Sequence, residues 1–103
     1  MQWYGYLAHF VAGVFLANAV PHFVNGISGR AFQSPFASPP GVGESSAVVN
    51  VLWGFANLVV GYLLLTGVGH FSFEPSLDAL VVGLGVVSTS LGLAWHFGNV
   101  RGR

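Results

Sequence analysis

Lysine and cysteine are both missing from this chain, and only three arginines and three acids are spread over its 103 residues. Without cysteine there is no disulfide, no thiolate metal site, no iron–sulfur cluster and no thiol nucleophile. Without lysine, and with a net charge of zero, there is no basic field for nucleic acid, which removes that class of partner. Charged residues amount to 6%, against about 25% in a typical soluble domain. So few charges cannot cover a water-facing surface.

What the chain has instead is apolar length. Hydrophobic residues make up 53%, and they gather in three spans running about 3–23, 46–68 and 77–97. At about 1.5 Å per residue each span reaches about 30 Å or a little more, the depth of a bilayer's hydrocarbon core. The expected fold is therefore all-α: one integral membrane domain over 1–103 with three transmembrane helices and the lipid bilayer as its main partner. The expected location is a bacterial cytoplasmic (inner) membrane. The first span lacks a positive n-region and a small-x-small cleavage pattern, so it reads as a retained helix rather than a signal peptide.

Three crossings put the amino terminus and the loop at 69–76 on one side, and the loop at 26–45 and the carboxyl terminus on the other. Arg30, Arg101 and Arg103 all fall on the second side, while Glu74 and Asp78 fall on the first. The positive-inside rule then gives N-out, C-in, with an inner loop at 26–45 and an outer loop at 69–76. The outer loop is short enough to make spans two and three antiparallel neighbours. Ser45 or Ser46 is a candidate N-cap for span two, and the run Pro75 to Asp78 reads as the start of span three.

The inner loop reads GISGRAFQSPFASPPGVGES. Gly, Pro and Ser break any periodicity, and Pro35, Pro39 and Pro40 preset extended backbone and argue against a regular ladder. It also carries Ile27, Phe32 and Phe36, which a solvated linker does not need. The loop is expected to fold back on the inner membrane surface, either as an ordered connector or as a cap over a site.

Polarity inside the spans runs in narrow stripes. Span one carries Asn18, His22 and Asn25; span two carries Asn50, Gly54, Asn57 and Gly61; span three carries Gly85, Ser88, Thr89, Gly92, His96 and Asn99. At about 100° per residue, Asn50, Gly54, Asn57 and Gly61 lie within about 60° of one another, and Gly85, Thr89, Gly92 and His96 are equally tight. Small residues let helix backbones approach, and Asn, Ser or Thr can hydrogen-bond across the contact. A packing seam is thus the plain interpretation of each stripe, and a ligand site or solute pathway the sharper one.

Depth adds weight to the sharper one, with the packing seam still the plainer of the two. His22, Asn50 and His96 all fall at the inner level, on three different helices. Pro21 cannot donate to the carbonyl of Ala17, which leaves a backbone acceptor free one turn before His22. A neutral imidazole can donate with one nitrogen and accept or bind metal with the other. Gly5, His9, Gly13 and Ala17 mark a second small face of span one, opposite His22. That face predicts contact with another protomer, hence a homo-oligomer with His9 near the contact; the alternative is a histidine facing the same protomer.

All four histidines precede a phenylalanine (His9-Phe10, His22-Phe23, His70-Phe71, His96-Phe97), and AHFVAG at 8–13 nearly repeats as PHFVNG at 21–26. Neighbouring helix positions point about 100° apart, so such a pair can send His inward and Phe toward lipid. It does not define a catalytic unit.

Enzymatic chemistry lacks its parts. A serine triad needs a carboxylate beside Ser88 or Ser90 and His96, yet the acids are Glu44, Glu74 and Asp78, two of them expected at the opposite surface. Paired carboxylates, a phosphate-binding glycine loop and a zincin motif are absent. The sequence therefore predicts no enzyme and no catalytic residue.

Three functions stay open. The first is a homo-oligomeric unit for permeation or transport of a small solute or ion, lined by Asn18, His22, Asn25, Asn50, Asn57, Ser88, Thr89, His96 and Asn99. No carboxylate or arginine falls mid-span, which argues against strong proton coupling. The second is an accessory or structural subunit of a larger membrane complex. The third is a haem- or divalent-metal-binding membrane protein with His22 and His96 as ligands, Gly92 leaving room for a macrocycle and Asn18 leaving less.

Overall fold

A computed structural model describes residues 1–102. Its elements are α1 (Trp3–Ile27), β1 (Phe32–Gln33), β2 (Glu44–Ser45), α2 (Ala47–Gly67) and α3 (Leu77–Arg101). Arg103, one of the three arginines behind the expected orientation, lies outside the described residues. All three helices are long and apolar enough to cross a membrane. Together they form a body of 42 × 24 × 21 Å.

Helix starts follow capping chemistry. Ser46 accepts from the Val49 amide at 3.2 Å and opens α2, and Ser76 accepts from the Ala79 amide at 3.1 Å and opens α3. α1 and α3 each continue about a turn past the ends expected from hydropathy alone. Those extra turns have partners: Gly26 packs on Ala47 and Val51 of α2, and Arg101 reaches the loop between α1 and α2.

The helix order in space differs from the expectation. α1 is central and packs against both other helices, whereas α2 and α3 do not pack against each other. The short 68–76 connection makes them neighbours in sequence, but small residues on two faces of α1 decide the packing. On one face Gly26, Gly54 and Gly61 bring α1 and α2 together along their length. On the other, Gly13 and Gly85 meet so closely that a Cβ on Gly13 would strike the Val82 carbonyl and one on Gly85 the Phe10 carbonyl.

This second contact also corrects the expected oligomer face. Gly5, His9, Gly13 and Ala17 are all buried within the single chain. Gly13 lies against α3, and His9 is bonded to residues of α2's end and α3's start. The small face of α1 is used inside the protomer.

The body is inverted relative to a water-soluble domain. Its largest fully buried side chains are His9, Asn50, Asn57 and Ser34, and its buried apolar residues are mostly alanines. Meanwhile Val48, Leu52, Leu91 and Trp95 are each more than 60% exposed. Large apolar side chains outside and bonded polar ones inside suit a hydrocarbon solvent, where only the polar groups need protein partners.

The loop at 28–46 contains a short ladder that its prolines argued against. β1 and β2 pair antiparallel with Phe32 opposite Ser45 and Gln33 opposite Glu44. Pro35, Pro39 and Pro40 lie between the strands, outside the paired positions, so no ladder donor is lost. Ser34 closes the turn: its hydroxyl pairs with that of Ser45 at 2.6 Å and accepts from the Phe36 amide, and its carbonyl accepts from Gly41.

Candidate functional site

At the end of the bundle where this loop crosses, a cleft of about 270 Å³ opens between all three helices. α1 and α2 contribute Asn18, His22 and Trp53, α3 contributes Leu93, His96 and Phe97, and the loop contributes Gln33, Ser34, Pro35 and Gly41. The clefts along the α1–α2 and α1–α3 grooves have almost wholly apolar walls. This one is where polar side chains converge.

Asn50 organises it. Its Nδ2 donates to the carbonyls of Phe32, Ser45 and Ser46, each at 3.1 Å. The reversed amide would set an oxygen against three carbonyl oxygens, so the orientation is determined. Its Oδ1 therefore faces His22, and the contact at 2.8 Å must be donated by His22 Nδ1–H. In the neutral ring the proton is on Nδ1 and Nε2 carries a bare lone pair. His22 Nε2 has no protein partner among the described residues, although the side chain is 97% buried.

His96 is fixed by the same logic. Its Nε2 lies 2.7 Å from the Gly41 carbonyl, which can only accept, so Nε2 holds the proton and Nδ1 is bare in the neutral ring. Gly41 can present that carbonyl because its φ is +76°, a conformation open to glycine, and because the loop hydrogen bonds hold it there. Two imidazoles in one cleft thus each have one nitrogen pinned and one unpaired.

Aromatic rings enclose His22. Phe32, Trp53 and Phe97 stand edge to face around it at centroid distances of 5.5, 6.3 and 6.4 Å. The Trp53 indole Nε1–H is the one buried side-chain nitrogen or oxygen without a hydrogen-bond partner among the described residues. Arg101 closes the rim, donating to Gln33 Oε1 at 3.0 Å and Glu44 Oε2 at 3.3 Å with its guanidinium 5.0 Å from the Phe32 ring centroid. No charged side chain lines the cleft itself.

The remaining stripe residues divide. Asn18 lines the cleft and donates to Asn57 Oδ1 at 3.0 Å, while Asn57 donates to the Trp53 carbonyl at 2.8 Å. Asn25 turns back to the Pro21 carbonyl, one turn earlier in its own helix. Ser88 and Asn99 are exposed and donate to Leu84 and Trp95 of their own helix, so neither lines the cleft. Thr89 is half-buried and also off the cleft. Loop residues Gln33, Ser34 and Gly41 and the aromatic Trp53 complete the site without having stood out in the sequence, since only the folded loop brings them to the two histidines.

A paired axial role for the histidines in haem binding does not match this geometry. His96 has its Nε2 engaged by Gly41, and Gly92 faces open space outside the cleft. For a metal ion, no group of three or more His, Cys, Asp or Glu gathers anywhere among the described residues.

Fold and site together define a small three-helix polypeptide with apolar outer faces and a cleft at one bundle end where His22 and His96 come together. No protein-family model, curated protein or solved structure matches the chain.

Proposed function

We propose that the chain is an integral protein of a bacterial cytoplasmic membrane, N-out and C-in, that holds a small solute in the inner-face cleft as a station in its permeation or transport. The observation that carries this reading is the pair of unpaired nitrogens, His22 Nε2 and His96 Nδ1, on two residues that line one cleft. Trp53 Nε1 is the one fully buried side-chain nitrogen or oxygen without a partner among the described residues, so both imidazole nitrogens keep some access and can accept from a ligand that donates to them. The inverted body and its three spans support membrane residence.

One chain offers a cleft but no through-route. The other half of the bundle is shut where Gly13 meets Gly85 and where His9 meets Asp78. Passage therefore needs either movement of α3 or a second copy completing the path, and the proposal includes a homo-oligomer on that ground. Solute flux into proteoliposomes tests it: His22→Ala and Asn57→Leu are expected to lower the flux of the transported solute, and native mass spectrometry in mild detergent to show more than one copy. Equal flux in protein-free vesicles would overturn it.

A second reading is an accessory subunit of a larger membrane complex. It is favoured by the Asn18–Asn57 pair, whose polarity is consumed in holding α1 to α2. Neither reading assigns catalysis.

A further inference from the structure

Taking the cleft as a solute site, the geometry points to its ligand class: we infer that it takes a small, uncharged aromatic alcohol whose hydroxyl donates to His22 Nε2.

Charge is settled by the walls. No charged side chain lines the cleft, and the nearest one, Arg101, is engaged with Gln33, Glu44 and the face of Phe32. An ion entering here would give up water without meeting a counter-charge, which is strongly unfavourable in an apolar body. A metal ion would find two imidazoles and no third ligand among the described residues, half of a tetrahedral donor set.

Hydrogen-bond polarity narrows the class further. The two bare imidazole nitrogens can only accept, so the ligand must donate. The Trp53 Nε1–H can only donate and is buried without a partner, with its ring 6.3 Å from that of His22. That nitrogen is sealed from the cleft as it stands, so a ligand that also accepts would satisfy it only on a small turn of the Trp53 ring. An ether or ketone accepts and cannot donate, and an ammonium donates and cannot accept. A hydroxyl does both through one oxygen.

Shape supplies the rest. Phe32 packs on His22 outside the cleft lining, while Trp53 and Phe97 line the cleft beside His22 and offer surfaces an aromatic ring packs against in offset or edge-on geometry. About 270 Å³ accommodates a single substituted ring and falls below the range of drug-sized pockets.

The test uses the full chain in nanodiscs, labelled with ¹⁵N at histidine and tryptophan, titrated with phenol, cyclohexanol and anisole. Phenol is expected to shift the His22 Nε2 and Trp53 Nε1 resonances saturably, and to bind roughly five- to tenfold more tightly than anisole, the worth of one hydrogen bond. Cyclohexanol is expected to fall between them. Trp53→Phe, which keeps an aromatic wall and removes the donor, is expected to weaken phenol a few-fold and leave the His22 shift in place. Equal binding of phenol and anisole overturns the hydroxyl assignment, and no saturable shift with phenol overturns the ligand class. If phenol fails while another solute crosses in a His22-dependent way, the ligand class falls and the solute site stands. If no solute does so, both fall.

Discussion

His9 and Asp78, 69 residues apart in sequence, meet in the buried interior with His9 Nδ1 at 2.7 and 2.8 Å from the two carboxyl oxygens. The other ring nitrogen, Nε2, lies 2.6 Å from the carbonyl of Val68, the residue that ends α2. One imidazole therefore joins all three helices at the end opposite the cleft. The carbonyl can only accept, so Nε2 carries a proton, and a second proton lies between Nδ1 and the carboxyl group. Whichever side holds that second proton, the pair as a whole is neutral, which is what an apolar surrounding tolerates.

Removing one partner leaves the other buried without its complement. Asp78→Ala is expected to destabilise the fold by about 3–5 kcal/mol, the usual range for breaking a buried pair from one side. His9→Leu with Asp78→Leu together is expected to cost less than the sum of the single changes. Reversible unfolding in mixed micelles measures both, and additive single effects would show that the pair contributes nothing as a unit.

The Asn18–Asn57 contact is a milder case. Interhelical hydrogen bonds in membrane proteins contribute about 0.6 kcal/mol on average and rarely above about 2. Asn18→Leu is expected to fall in that range by the same unfolding assay. A loss above about 3 kcal/mol would mean that Asn18 does more than bond Asn57.

Glycines differ sharply by position. A Cβ at Gly85 runs into the Phe10 carbonyl, so Gly85→Ala is expected to push α3 away from α1 and raise hydrogen exchange in both helices. Gly83, Gly92 and Gly98 meet nothing within 4 Å. Alanine there is expected to be neutral or to stabilise by up to about 1 kcal/mol through helix propensity. Equal effects at Gly85 and Gly92 would contradict the close crossing.

The tautomers are directly observable. ¹⁵N spectra near neutral pH are expected to show His22 protonated at Nδ1 and bare at Nε2, and His96 the reverse. Asn50→Leu removes the acceptor and is expected to mix the two His22 forms while leaving His96 unchanged. A His22 ring protonated at Nε2 in the unaltered protein would refute the assignment of the Asn50 amide.

Composition and periodicity carry much of this architecture: three long apolar helices, serine caps at Ser46 and Ser76, and small or polar residues turned inward. They also bring His22, Asn50 and His96 to one level, and the structure sets His22 and His96 in one cleft and Asn50 directly behind His22. Which helix lies in the middle is not legible in this way. Hydropathy gives α1 two small faces and says nothing of whether the second is filled by α3 or by another chain. The sequence therefore points His9 toward an oligomer contact, because its partner Asp78 is distant in sequence and only packing reveals the pair. Ser88 and Asn99 share the inward stripe of α3 by angle, but among the helices α3 packs chiefly on α1, so much of its stripe faces outward. Gln33 and Gly41 are hidden for another reason: a loop rich in Gly and Pro has no period from which side-chain direction can be read.

The crossing of Gly13 and Gly85 lies about a third of the way along α3. By helix rise, Asp78 is roughly 10 Å on one side of it and His96 roughly 16 Å on the other. α3 is thereby a lever with unequal arms, with its fulcrum at the glycines and its long arm tied to the loop through His96 and Arg101. A tilt that separates Asp78 from His9 by about 1 Å would carry His96 about 1.6 Å in the opposite sense, toward α1, so whatever loosens the short arm narrows the cleft on the long one.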